Sequence, residues 1–142
     1  MAAAAKFEFM SPEWVAMARD QITHALAGRY LGPTPFTLCE EFTNPPAHLR
    51  RGGADMIGFC VVMRGGSVDV RDGPTNDADC TITSDYAEAL AIARDPEAAS
   101  ADPSAMAERI ADGRLTIKGD PSAAPAVLRE VDIHKLLAKF TA

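Results

Sequence analysis

Apolar residues recur every three to four positions over Val15, Ala18, Ile22 and Leu26, the spacing of one helix face. Ser11-Pro12-Glu13 supplies a start: a serine cap, a proline at the first helical position and an acid in the first turn. Gly28 supplies the stop. Beyond the Gly32-Pro33 loop the period changes to two. Phe36, Leu38 and Phe42 alternate with Thr37, Cys39, Glu41 and Thr43, a half-buried strand that Asn44-Pro45-Pro46 ends. A polar loop through His48–Gly53 leads to a second alternating run, Ile57, Phe59, Val61 and Met63. Gly65-Gly66 is a two-residue hairpin signal, and the chain returns with Val68 and Val70 inward. Asp72-Gly73-Pro74 turns it again into Cys80 and Ile82, extending an antiparallel meander to four strands.

Helical pattern resumes at Asp85, where Glu88 completes the spacing of a capping box and Tyr86, Leu90 and Ala93 form a stripe. Residues 95–101 read as a loop. Asp102-Pro103 starts a further helix carrying Met106 and Ile110, closed by Asp112-Gly113. Leu115 and Ile117 mark a fifth strand. After Gly119-Asp120-Pro121 comes a last helical region with the stripe Leu128, Val131, Ile133, Leu136, Leu137 and Phe140, its regular helix delayed by Pro125. Grouped strands and segregated helices predict an α+β fold, a five-stranded mainly antiparallel sheet covered by helices. One domain spans 1–142, with residues 1–10 flexible and Ala2–Ala5 the one low-complexity tract.

Composition narrows the function. Fourteen Lys+Arg against twenty Asp+Glu leave a net charge of −6, which removes the electrostatic footprint of a nucleic-acid binder or of a basic patch on an anionic membrane. No run approaches the eighteen apolar residues of a membrane span. Lys6 and Glu8 interrupt what a signal peptide keeps apolar, and Phe140-Thr141-Ala142 is neither a peroxisomal nor a retention tripeptide. Cys39, Cys60 and Cys80, an odd number in strand-like runs, read as small reduced hydrophobes of a cytoplasmic protein. Neither they nor His24, His48 and His134 have metal-ligand spacing, and Asp69, Asp72, Asp77 and Asp79 lack a calcium-loop pattern. Phosphate loop, dinucleotide fingerprint and nucleophile elbow are all missing. On residues alone no catalytic group, cofactor or metal is assigned, and a binding module is favoured over an enzyme.

Three segments then carry a resemblance. The run Val61–Val70 with Asp72-Gly73-Pro74, the run Asp79–Tyr86, and Gly113-Arg114-Leu115-Thr116-Ile117-Lys118-Gly119-Asp120 resemble, in that order, the central hairpin, the strand into an acid-capped helix and the late strand of the sterol-carrier-protein (nonspecific lipid-transfer protein) domain. The likeness covers about residues 56–140. It implies five strands and helices enclosing an apolar tunnel for a sterol, fatty acid, acyl-CoA or steroid-like molecule, and a soluble carrier, free, dimeric or working with a partner enzyme. The alternative is a small enzyme using the same cavity on a polyketide- or terpenoid-like substrate, with Glu40, His48 or an Asp as acid or base. Ten Arg against four Lys in an Ala-rich chain points to a GC-rich bacterial genome.

The inward registers place Phe59, Met63, Met106, Ile110, Ile117, Leu136 and Phe140 around one apolar space, either an open cavity or a solid core. The last helix, ending near the terminus where fraying is usual, is expected to act as a movable lid. Glu40 falls in the inward register of Phe36, Leu38 and Phe42. A bulge at Glu40-Glu41 turns it out, Arg50 or Arg51 pairs it, or it stands as a polar group in an apolar wall, suited to a ligand hydroxyl.

Overall fold

The computed structural model describes residues 5–73 and 75–142, without the side chains of Ser100 and Arg129. Ala2–Ala4 of the alanine tract and Pro74 of the Asp72–Pro74 turn lie outside the described residues. The chain runs α1 (Pro12–Leu26), β1 (Phe36–Thr43), β2 (Met56–Arg64), β3 (Ser67–Asp72), β4 (Cys80–Asp85), α2 (Tyr86–Arg94), α3 (Pro96–Ser100), α4 (Pro103–Ala111), β5 (Leu115–Gly119), α5 (Val127–Glu130) and α6 (Ile133–Ala138). Short 3₁₀ turns sit at Ala47–Leu49 and Pro121–Ala123.

The five strands form one sheet in the order β3-β2-β1-β4-β5. The meander ends at β3. From there the chain crosses to the far side of β1, and β4 pairs with β1 in parallel, so the sheet is mixed with one parallel pairing among four. Alternation fixes a strand's faces but not its partner. Seven linking residues reach about 23 Å, which exceeds the roughly 14 Å of three strand spacings, so the crossing is sterically easy. Only at Gly65-Gly66, with φ of 53° and 85°, does turn geometry force neighbours to pair.

Helix α1 forms as its pattern requires. The Ser11 side chain caps the Trp14 amide, Gly28 follows the last turn at φ 72°, and Val15, Ala18, Ile22 and Leu26 are buried. It lies across β3, where Arg19 Nε donates to the Val70 carbonyl at 2.8 Å. Four sequence expectations need correction around this frame. Residues 95–101 are not all loop: Asp95 caps the Ala98 amide and Pro96 opens α3, the acid-then-proline start that also opens α4. Asp85 caps α2 through the Ala87 amide, but Glu88 turns away from the box to Arg109 and Arg114. The final helix is broken at Val131–Asp132 into α5 and α6, because Asp132 caps a new start at the Lys135 amide. Cys39 and Cys60 are joined by a disulfide, since the β1/β2 register sets them directly opposite with Cα atoms 4.1 Å apart. Only Cys80 is free, and burial, with the nearby Asp120 charge, pushes its thiol up. The cytoplasmic expectation loses the support it drew from reduced cysteines.

Phe9 and Met10 are buried in the core and Phe7 packs against it, so this part of the stretch expected to be flexible is held in place. Phe7 bridges Thr141, its amide donating to the Phe140 carbonyl and its carbonyl accepting from the Ala142 amide, both at 2.8 Å. Phe9 packs edge-on against Trp14 and Phe42 with ring centroids 4.9 and 5.1 Å away, and Tyr86 Oη donates to the Phe9 carbonyl. Arg51 ties the Met10 carbonyl to Asp72 at 2.9 Å each. Burying a ring such as that of Phe9 stabilises by about 1.5–3 kcal/mol.

Candidate functional site

Between the helix-covered face of the sheet and α2, α3, α4 and α6 lies a cavity of about 370 Å³. Its floor is β1 Glu40 and Phe42, β2 Phe59, β4 Ile82 and Ser84, and β5 Leu115 and Ile117. Phe9 and Trp14 complete the lining beside Phe42 and Phe59. Met106 and Ile117 line it while also 39% and 41% exposed, which places an opening beside α4 and β5.

Of the residues singled out from the sequence, Glu40, Phe59, Met106 and Ile117 meet here. The other four do not. Met63 is buried at the far end of β2 between Phe36 and Val68. Ile110, one turn beyond Met106 on α4, is 47% exposed and is not part of the cavity lining. Leu136 is displaced by Leu137, because the break before α6 rephases its stripe to Ile133 and Leu137. Phe140 packs against the core beside the terminal bridge.

Glu40 needs no bulge. The β1/β2 register is continuous through Glu40↔Phe59 and Glu41↔Gly58, so the carboxylate remains inward. Its partner is neither Arg50, which faces Asp55, nor Arg51, which holds Asp72. It is His134 of α6, with Nε2 3.7 Å from Glu40 Oε1. Hydrogen-bonding attraction and charge from Glu40, with a smaller push from Asp132, outweigh desolvation and raise the imidazole to about 9. Sequence spacing could not reveal a pair 94 residues apart. Asp132 and Ser84 join them on the wall, and His48 instead pairs with Glu8 on the surface at 2.9 Å.

No family model matches the sequence, and no curated protein matches it. Solved structures do. A crystal structure of sterol carrier protein 2 aligns at TM-score 0.57 and 14% identity, over 94% of this chain and 100% of that one. A conserved hypothetical protein of Thermus thermophilus, described as a candidate sterol carrier protein, aligns at TM-score 0.56 and 15% identity, over 99% and 95%. The fold is that of sterol carrier protein 2.

In this sterol-carrier fold the terminal helix is not the loose element. Trp14 Nε1 donates to Thr141 Oγ1 at 3.0 Å, Thr141 Oγ1 donates to the Leu137 carbonyl at 2.8 Å, and Arg94 Nε donates to the Ala142 carbonyl at 2.8 Å. These bonds fasten the end expected to serve as a lid. The α4 wall buries none of its residues; Arg109 at 3.3 Å from Glu88 and Arg114 at 3.2 Å hold it and the start of β5 to α2. Among the described residues no helix is long and apolar enough to cross a membrane.

Proposed function

We propose that the chain is a carrier that binds a hydrophobic small molecule between its sheet and helices α2, α3, α4 and α6, in a tunnel-like site entered beside α4. The cavity carries this reading. Fifteen of its nineteen lining residues are apolar, so water inside finds few partners and an apolar guest replaces it favourably. Its volume of about 370 Å³ falls within the range of small-molecule pockets. Burying roughly 400 Å² of apolar ligand contributes on the order of 10 kcal/mol, from which association and ordering remove several. Micromolar binding follows. The fold shared with sterol carrier protein 2 supports the same reading.

Trp14 is the sole tryptophan and lines the cavity, so it reports occupancy directly. Titration with the neutral probe N-phenyl-1-naphthylamine is expected to give saturable energy transfer from Trp14 with a micromolar Kd. Ala99→Trp, which fills the cavity from α3, should abolish saturable binding, read from the probe's own emission. A wild-type protein that leaves the probe as dark as in buffer removes the proposal.

A further inference from the structure

The carrier reading leaves the ligand's polar group open, and the wall of the same cavity bears on it. The charged residues among its lining are Glu40, Asp132 and His134. Glu40 Oε1 faces His134, while Oε2 has no hydrogen-bond partner among the described residues. Ser84, 8% exposed and on the same wall, also has an Oγ without a partner among the described residues. The parallel register sets Glu40 opposite Ile82 and Phe42 opposite Ser84, so Glu40 and Ser84 are diagonal neighbours on one face of the sheet. Two polar atoms without partners among the described residues, the acceptor Glu40 Oε2 and the donor–acceptor Ser84 Oγ, therefore belong to the wall of a mainly apolar space.

We propose that this cavity selects an apolar alcohol over the corresponding carboxylic acid, with Glu40, Ser84 and His134 forming the hydroxyl subsite. This rests on the carrier function proposed above. A hydroxyl donates and accepts at once: it can donate to the Glu40 carboxylate while accepting from Ser84 Oγ–H or His134 Nε2–H. An ionised carboxylate can only accept. It meets two carboxylates and one imidazolium, since His134 is held charged at neutral pH by Glu40. Glu40 and His134 cancel within the subsite and Asp132 adds one negative charge to the lining, so a ligand carboxylate gains no net attraction and is repelled by the half-buried Glu40 beside it. The space corresponds to about a dozen waters at roughly 30 Å³ each, which suits a skeleton of about a dozen carbons.

The test is a Trp14 fluorescence titration at pH 7.5 with 1-dodecanol and with dodecanoate, each checked by displacement of N-phenyl-1-naphthylamine. Dodecanol is expected to bind about tenfold tighter or better. Glu40→Gln should weaken dodecanol several-fold and strengthen dodecanoate, opposite changes that partial unfolding cannot produce. Ser84→Ala should weaken dodecanol. Equal affinities, tighter dodecanoate, or a preference that survives Glu40→Gln overturns the hydroxyl subsite while probe binding leaves the carrier function standing. If the naphthylamine itself does not bind, the carrier function falls and the subsite falls with it.

Discussion

Thr141 sits where the two ends of the chain meet, and its hydroxyl can be removed almost without changing shape. Its Oγ1 accepts from Trp14 Nε1 at 3.0 Å and donates to the Leu137 carbonyl at 2.8 Å; the two residues are 3% and 2% exposed. In Thr141→Val the Leu137 carbonyl keeps the Phe140 amide at 3.0 Å, so the loss falls on the indole N–H, buried and unpaired. Leaving such a donor unsatisfied costs about 1–3 kcal/mol, taken here as about 2. A chain of 142 residues has an unfolding entropy of about 0.3 kcal/mol/K, so Tm should fall by about 7 °C. The assay is thermal unfolding by circular dichroism in a double-mutant cycle with Trp14→Phe, which has no N–H to strand. In that background Thr141→Val should cost far less, giving a coupling of about 1 kcal/mol or more. A Thr141→Val protein within about 0.5 kcal/mol of wild type, or additive single costs, would show that the indole bond does not hold the terminus.

Three further outcomes are expected. Gly58→Ala places a Cβ 2.3 Å from the Glu40 carbonyl oxygen and 3.2 Å from Glu41 Cα, backbone atoms that cannot yield without parting β1 from β2; a loss of about 3 kcal/mol or failure to fold is expected by urea denaturation. Gly66→Ala meets nothing within 4 Å and should cost only about 1 kcal/mol from its φ of 85°, and equal costs for the two would contradict the clash. The stability that His134 gains from Glu40 is complete below its ordinary value near 6.5 and lost as pH rises through about 9. With His134 56% exposed it amounts to about 1 kcal/mol or less, so His134→Gln should be less stable than wild type at pH 6 and converge with it by pH 10; a gap that widens with pH contradicts the assignment. Thiol titration in guanidinium should count one thiol before reduction, from Cys80, and three after; three at the outset would remove the Cys39–Cys60 bond.

Local pattern carried much of the fold. Serine and proline at 11–12, glycines at 65–66 and Asp102-Pro103 each dictate a boundary through backbone chemistry within a few residues, and those boundaries hold. What pattern does not encode is pairing. Alternation in β4 says which side chains face inward, not that β1 lies beside it in parallel, and the same blindness hides Cys39 from Cys60. The site divides along the same line. Phe59 and Ile117 follow from strand register and Met106 from helix spacing, whereas an unbroken stripe favours Leu136 over Leu137 until one capping aspartate, Asp132, resets the helix phase. Glu40 stands out in sequence as a carboxylate among hydrophobes. Its partner His134 belongs to another layer and only the folded chain brings it near.

The clasp between the termini also sets an order of events during synthesis. Trp14 and Thr141 are 127 positions apart, which at about 5–20 residues/s is roughly 6–25 s of translation. Throughout that interval Phe9 and Trp14, which line the cavity, lack the segment that fastens them, and the aromatic cluster can only be provisional. The sheet's own pairings span far shorter stretches and have no such wait. Ribosome-bound chains should therefore acquire a protease-resistant sheet before they can retain a ligand, and carrying competence should arrive only once Thr141 is free to reach Trp14.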